Sequence, residues 1–137
     1  MLEDVIVTQL KYHEGLRLTP YRCTSGRWTL GYGRNIQDNG ITEVEALYLL
    51  NNDIAAATKD LEKIFFKFWK LPEIVQRVLI DMRFNLGVTG FRSFKKMIKA
   101  CKEEDFYQAA LEMQDSDWFG QVGQRGETLL NMMLKAS

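Results

Sequence analysis

The chain changes from helical to extended chemistry immediately after Glu14. Residues 2–13 carry apolar side chains near helical spacing, at Leu2, Val5, Ile6 and Leu10, and they predict a short helix that ends around Glu14-Gly15. Residues 16–35 instead combine strand-forming Tyr, Trp, Thr and Leu with glycine-rich breaks, which favours a small antiparallel hairpin sheet. One short segment of sheet in an otherwise helical chain predicts a fold of the α+β class.

The rest of the chain predicts helices. Thr42-Glu-Val-Glu45 is a capping box, in which the hydroxyl and the carboxylate each satisfy a free backbone N–H, and a long helix over 43–64 should follow. Pro72 suits the first turn of the next helix, which we expect to run to Leu86 and stop at Gly87. That helix is apolar on nearly all sides, so we expect it to be central, with Phe84 and Leu86 in the core.

These elements predict a single domain over residues 1–137. Later helices are expected from Ser93, from Asp105 and from Gln121 or Gly123. We expect an N-terminal sheet lobe over about 14–41, a linking helix over about 43–64, and a C-terminal helical lobe over about 65–137. The helix at 2–13 is predicted to pack on the C-terminal lobe.

Composition and charge exclude several classes of protein. Lys+Arg and Asp+Glu both number 18, which argues against a dedicated nucleic-acid binder. The cysteines, Cys23 and Cys101, are too few for a disulfide framework, and Cys101 is expected to be a small core residue. No metal cluster, phosphate loop or cofactor motif is present. No signal peptide and no run long enough to cross a membrane is expected, so we predict that the protein starts in the cytoplasm. We also expect it to be a monomer.

Three residues near the change from helix to sheet could form a catalytic group. Glu14, Cys23 and Thr29 follow one another at steps of nine and six residues. Cleavage of a glycosidic bond needs an acid for the leaving oxygen and a second group that activates water or attacks the sugar. Glu14 should line a cleft and be partly buried, as suits a proton donor. A lone Glu at a helix end or a lone Thr on a strand would be unremarkable, so the combination carries the hypothesis.

The combined pattern resembles the phage-type lysozymes, or endolysins, of glycoside hydrolase family 24. The likeness rests on Glu14-Gly-Leu-Arg-Leu, the two steps, and Trp28-Thr-Leu-Gly-Tyr-Gly33. It continues in Asp81-Met-Arg-Phe-Asn85-Leu-Gly87 and in Trp118 with Gln121-Val-Gly-Gln-Arg125. The resemblance implies an N-terminal sheet lobe, a C-terminal helical lobe and bacterial peptidoglycan as the partner, held between the lobes.

Roles follow from the resemblance residue by residue. Glu14 matches the general acid, and Thr29 matches the threonine that helps to hold the attacking water. Arg125 matches an arginine near the acid, which would pair with the acid and with the C-terminal lobe. Asn85 and Trp118 match a polar–aromatic pair across the cleft floor, and their hydrogen bond between indole and amide would be structural first and sugar-contacting second. Tyr32 is assigned a supporting or substrate-binding role.

Cys23 departs from the family pattern, because the matching position is usually Asp. A free thiol has a pKa of about 8.5, so only a few per cent is thiolate at pH 7. Arg22 and Arg27 would lower that pKa if their side chains pointed inward. Three interpretations stay open: the sulfur positions water in an inverting hydrolase, it attacks the sugar in a retaining one, or it is inert.

The resemblance implies a muramidase that cleaves the β-1,4 bond between N-acetylmuramic acid and N-acetylglucosamine during host lysis. A lytic transglycosylase is the first alternative, because that chemistry needs only one carboxylate. A catalytically weak wall-binding or tail-associated protein is the second. An endolysin without a signal would reach the wall only after the host membrane has been permeabilised.

Overall fold

The computed structural model describes all residues from Met1 to Ser137 and divides the chain into two compact units. The N-terminal unit spans Met1–Leu49 and the C-terminal unit spans Leu50–Ser137. The helices of the whole chain are α1 (Leu2–Glu14), α2 (Ile36–Asn39), α3 (Glu43–Ile64), α4 (Glu73–Arg92), α5 (Lys95–Lys102), α6 (Phe106–Gln114), α7 (Asp117–Val122) and α8 (Gln124–Ala136), with a 3₁₀ turn at Phe68–Lys70. The strands are β1 (Arg17–Arg22), β2 (Trp28–Gly31) and β3 (Arg34–Asn35). The predicted α+β class is confirmed.

The N-terminal unit contains α1, the sheet and α2. The strands form one antiparallel sheet in the order β1-β2-β3, as the strand formers of residues 16–35 predicted. Tyr21 pairs with Thr29 across β1 and β2, and a register shift separates that pair from Arg17, which is paired with Gly31. Helix α1 ends at Glu14, as predicted, and buries none of its side chains.

The capping box at the start of α3 forms as predicted. The Thr42 backbone N–H donates to Glu45 Oε1 over 2.8 Å, and the Glu45 N–H donates to Thr42 Oγ1 over 3.1 Å. Arg34 binds the same carboxylate through two nitrogens. The hydrogen bonds from Arg34 and from the Thr42 backbone lower the pKa of Glu45 to about 2. The cap is therefore tied to strand β3, which places the end of the sheet against the first turn of α3.

The C-terminal unit holds the hydrophobic core. Helix α6 packs on α5 and α8, and α4 packs on α8. Side chains from these helices and from the end of α3 form one buried cluster, which includes Leu61, Leu79, Met82, Met113 and Met133. Helix α4 contributes five of its residues to this cluster, which are Val75, Val78, Leu79, Met82 and Phe91.

Gly87 interrupts α4 at the predicted position. This residue has φ 78° and ψ −179°, outside the helical region, so the first helical segment stops there as predicted, and a second segment that was not predicted follows to Arg92. Phe84 is 43% exposed and so is not a core residue, whereas Leu86 packs against the core while partly buried. The apolar sequence pattern of α4 therefore predicted more burial of this helix than the structure shows.

Asp60 on α3 binds both halves of α4. Its Oδ2 accepts from Arg83 Nε over 2.8 Å, and its Oδ1 accepts from Arg92 over 2.5 Å. Burial acts to raise the pKa of Asp60, but the hydrogen bonds from the two guanidinium groups outweigh it and the pKa falls below its ordinary value. The charged carboxylate thus bridges residues on either side of the Gly87 bend.

Candidate active site

The turn between β1 and β2 builds the surroundings of Cys23. The Cys23 N–H donates to the Arg27 carbonyl over 2.9 Å, and the Gly26 N–H donates to the Cys23 carbonyl over 2.8 Å. Gly26 adopts φ 79°, in the left-handed region that costs other residues energy. Within this turn Cys23 Sγ and Ser25 Oγ are hydrogen-bonded at 3.1 Å. The thiol is therefore held by a closed loop of backbone and side-chain contacts.

These contacts favour the thiolate form of Cys23. A hydrogen bond from the Ser25 side chain, followed by backbone hydrogen bonds at Arg27 and Ser25, lowers the pKa of Cys23 to about 7. A thiol with a pKa near 7 is about half ionised at neutral pH, which is more than the few per cent of an ordinary thiol.

The arginines beside Cys23 are not what lowers its pKa. The Arg22 guanidinium lies 4.4 Å from the centre of the Trp28 ring and donates to the Gly26 carbonyl. Arg27 pairs with Asp38 over 3.5 Å. The predicted electrostatic help from these side chains is replaced by hydrogen bonds within the turn, because both cations are engaged elsewhere.

Thr29 is the one buried polar residue of the chain, at 3% exposure. Its Oγ1 donates to the Arg27 carbonyl over 2.9 Å, and its hydroxyl also makes a weaker hydrogen-bonding contribution to the pKa of Cys23. A strand-forming threonine could bury only its methyl group, but this hydroxyl is directed into the same turn. The structure therefore brings Cys23, Ser25 and Thr29 together.

Glu14 lies at the other turn of the sheet. Gly33 follows β2 with φ 74°, and a Cβ at this position would overlap the Glu14 carboxylate. The carboxyl can approach this closely only because residue 33 lacks a side chain. The predicted partial burial of Glu14 is wrong, because the residue is exposed at the end of α1.

Tyr32 lies beside Glu14 in the same turn between β2 and β3. Its ring is 45% exposed, and the Lys11 ammonium lies 5.4 Å from the ring centre. A lysine at that distance from an aromatic face is attracted by the ring quadrupole. The ring is thus available to a ligand on one face, and its proposed substrate contact stays a prediction.

Asn85 and Trp118 meet in the C-terminal unit as predicted. The indole Nε1–H donates to Asn85 Oδ1 over 2.9 Å, and Trp118 is buried with Phe94 packed edge-on at 6.0 Å. This hydrogen bond satisfies the only polar atom of a buried indole. The structural role of the pair is therefore present, while its contact with sugar stays a prediction.

Arg125 has a carboxylate partner that the sequence analysis did not assign. Its Nε donates to Asp81 Oδ1 over 2.7 Å, and both side chains are about two-fifths exposed. The predicted pairing of Arg125 with Glu14 would join the two units and stays a prediction. Asp81 was visible in the motif around Asn85, but nothing in the sequence indicated that it would engage this arginine.

Ser25 is the second residue that the sequence analysis missed. The tripeptide Thr24-Ser-Gly26 was interpreted only as a strand break, which is the common meaning of such residues. A hydroxyl two residues after a candidate catalytic thiol was the available signal. Its importance depends on the turn geometry, which one sequence does not fix.

Other chemistry is limited by the observed side chains. Cys101 is buried as predicted, and burial raises the pKa of its thiol to about 12. No group of three or more His, Cys, Asp or Glu side chains is arranged to hold a metal ion. None of the helices has the length and apolar character needed to cross a membrane.

The chain has a lysozyme-like α+β fold, in which a small three-stranded sheet is followed by a helical unit. Glu14, Cys23 and Thr29 all lie in the unit that contains the sheet. Residues 11–132 match the phage lysozyme family, and the chain belongs to that family. It is therefore a peptidoglycan hydrolase of the glycosidase type.

Similar proteins come from a cellular organism and from phages. A probable T4-type lysozyme 1 of Dictyostelium discoideum is 27% identical over 93% of this chain and 92% of its own length. An endolysin of Acyrthosiphon pisum secondary endosymbiont phage 1 is 36% identical over 75% of this chain and 70% of its own. The pre-baseplate central spike protein Gp5 of Enterobacteria phage T4 is 28% identical over 91% of this chain but only 27% of its own length.

Proposed function

We propose that the protein is a muramidase that hydrolyses the β-1,4 bond between N-acetylmuramic acid and N-acetylglucosamine. Glu14 gives its proton to the leaving oxygen, while the Cys23 thiolate and the Thr29 hydroxyl hold the attacking water. The observation that carries this proposal is the hydrogen-bonded turn that lowers the pKa of Cys23 to about 7. It supplies an anion at the position where the resemblance implies a carboxylate.

The proposed reaction is inverting. Glu14 lies against the turn after β2, and Cys23 lies in the turn before β2, so the two groups stand at opposite ends of one strand. Inverting glycosidases keep their two groups about 6.5–9.5 Å apart to admit a water, whereas retaining ones need about 5–5.5 Å. Groups at opposite ends of a strand suit the larger separation, in which water fits between sulfur and sugar.

The proposed step conserves protons. The Glu14 carboxylic acid transfers its proton to the glycosidic oxygen as the bond from that oxygen to the anomeric carbon breaks. Water attacks the opposite face of the sugar and loses one proton to the Cys23 thiolate, which becomes a thiol. Transfer of that proton through solvent to Glu14 restores both groups for the next turnover.

The proposed setting is lysis of a bacterial host by a phage endolysin. The relative named endolysin supports this setting. In this proposal the monomeric protein waits in the host cytoplasm and reaches the wall after a separate pore has permeabilised the membrane. The partial match to the T4 spike protein keeps a tail-associated role as the alternative, in which wall binding outweighs catalysis.

The test of catalysis is Glu14→Gln, compared with Glu43→Gln at an exposed glutamate of α3. Loss of the proton donor should slow release of reducing ends from purified peptidoglycan by at least about a hundredfold. The Glu43→Gln control should match the wild type. The same difference should appear in lysis of permeabilised Gram-negative cells, where Glu43→Gln clears the cells as fast as the wild type and Glu14→Gln clears them more slowly. Equal rates for the wild type and Glu14→Gln would refute the mechanism and favour the wall-binding alternative.

The first product distinguishes the remaining chemistries. Proton NMR should show inversion at the anomeric carbon and a free reducing end. A 1,6-anhydro end would establish a lytic transglycosylase instead. Retention together with a trapped thioether between Cys23 and sugar would establish direct attack by sulfur.

Variants at Cys23 test how the anion is used. Cys23→Asp should keep or raise the activity, because a carboxylate is charged at neutral pH. Cys23→Ala should lower it only in part, since Thr29 and solvent still hold water. Modification of Cys23 by a bulky thiol reagent should block the site, and undiminished lysis after stoichiometric modification would contradict its placement there.

A further inference from the structure

Two adjoining grooves of the C-terminal unit concentrate positive charge. The first has a volume of about 450 Å³ and is lined by two isoleucines and five cations, which are Lys63, Arg92, Lys95, Lys99 and Lys102. No acidic side chain lines it. The protein has a net charge of zero, so this surface departs sharply from the average.

The second groove joins the first at Ile64 and Lys102. Its volume is about 590 Å³, and its lining combines apolar Phe65, Phe66 and Leu71 with further lysines at positions 67 and 70. Glu104 is the one acid in its lining. The two adjoining grooves therefore combine apolar and cationic side chains.

Most of these cations have no partner within the protein. Arg92 pairs with Asp60, and Lys99 pairs with Glu103. No carboxylate lies within 4.0 Å of the remaining lysines, which are Lys63, Lys67, Lys70, Lys95 and Lys102. With Phe66 and Trp69 these five lysines form what is called here the lysine–aromatic surface.

Phe66 is presented to solvent by a rigid turn. It is 95% exposed, although Phe65 and Phe68 on either side are buried. The Phe68 N–H donates to the Phe65 carbonyl over 3.0 Å, and Trp69, 58% exposed, packs at 4.9 Å on the Phe68 ring. A phenylalanine left in water forgoes the favourable free energy of burying its side chain, although the backbone of this turn is held by hydrogen bonds.

We propose that the lysine–aromatic surface binds the headgroup region of an anionic phospholipid bilayer. Lysines near such a membrane are attracted to its lipid phosphates, and aromatic side chains settle at the boundary between headgroups and acyl chains. Lys67 and Lys70 line the same groove as Phe66, so both contacts can be made by one surface. A soluble polyanion would use the charges but would leave Phe66 in water.

The proposed contact is peripheral, and it does not rest on the proposed enzymatic function. Phe66 enters the outer few ångströms of the bilayer while the helices stay outside. The two ideas fail separately, because membrane binding is measured without cleavage of any sugar.

The test is sedimentation of the protein with lipid vesicles at low salt. Phosphatidylcholine vesicles containing one third phosphatidylglycerol should carry the wild type down, and pure phosphatidylcholine vesicles should not. Replacing Lys67, Lys70 and Lys102 by Gln should weaken binding about a hundredfold. A control triple at Lys59, Arg77 and Lys135, which are cations outside the grooves, removes the same charge and should bind like the wild type.

Phe66→Ser tests insertion apart from charge. It should weaken binding by at least roughly tenfold, whereas Tyr107→Ser at another exposed aromatic should not. All variants should keep the wild-type melting temperature and wall-lytic rate. The proposal would be overturned if the wild type did not bind or if both triple variants lost binding equally. Full binding by Phe66→Ser would also overturn it, because the surface would then attract anions by charge alone, as one for soluble polyanions does.

Discussion

The two units hold themselves together by different means. Every buried apolar side chain of the core lies between Ala57 and Met133, in the C-terminal unit, whereas the only buried residue of the N-terminal unit is Thr29. The N-terminal unit instead relies on turns, ion pairs and the α3 cap. The catalytic candidates Glu14, Cys23 and Thr29 thus occupy the part with the least packed interior. This contrast predicts that substitutions in the two units separate into those that affect stability and those that affect chemistry.

The largest effect on stability is expected from Leu79→Ala in the C-terminal core. Leu79 has no exposed surface, and loss of a buried leucine side chain costs about 2–5 kcal/mol because a cavity remains. The free energy of unfolding from urea titration gives the measurement. Leu18→Ala on β1, where the leucine is 80% exposed, is the matched control and should change stability by less than about 0.5 kcal/mol.

Gly33→Ala should combine moderate destabilisation with loss of activity. An alanine with φ near 74° costs about 1–2 kcal/mol, and its methyl group would displace the Glu14 carboxylate. Gly40→Ala is the control, since Gly40 shares the positive φ but a methyl group there would meet no other atom within 4 Å. Both should melt at similar temperatures, while Gly33→Ala alone releases reducing ends slowly. Equal activity in the two variants would contradict the assigned place of Glu14.

Thr42→Ala should destabilise the start of α3 by about 1 kcal/mol. The change removes the hydroxyl that accepts from the Glu45 N–H, which is the usual cost of losing a helix cap. Thr42→Ser keeps the oxygen and should recover most of that loss, as measured by urea titration. If alanine and serine behaved alike, the hydroxyl would not be the stabilising group.

Ser25→Ala should leave stability unchanged and alter the chemistry of the thiol. The pKa of Cys23 is lowered to about 7, so the thiolate dominates above pH 7 and is lost as the pH falls through that value. Iodoacetamide should therefore react with a midpoint near pH 7 in the wild type and nearer the ordinary thiol value of about 8.5 in the variant. Thr24→Ala is the control, and Cys101, being buried, should stay unmodified in all three proteins.

The sequence predicted a structural feature correctly where the residues that determine it lie close together in the chain. The capping box at Thr42 and Glu45 fixed the start of α3, because its hydrogen bonds join residues three apart. The short helix α2 and the turn at Phe68–Lys70 were missed, since neither has room for a periodic pattern. The break at Gly87 was predicted, but the short helical segment that follows it to Arg92 was not.

The candidate site shows the same limit. Glu14, Cys23 and Thr29 were found by their spacing and family resemblance, which are properties of the sequence. The cause of the low Cys23 pKa was not found, because it depends on where the Ser25 hydroxyl points. Likewise, the pairing of Asp81 with Arg125 joins residues 44 positions apart, and charge alone does not select one partner among many.

The bend at Gly87 has a mechanical consequence through Asp60. A helix interrupted by glycine would ordinarily act as a joint, yet here a single carboxylate from a neighbouring helix grips an arginine on each side of the interruption. The two ion pairs therefore restrain the angle between the segments. A neutral side chain at position 60 would remove both restraints at once and leave Gly87 free to bend.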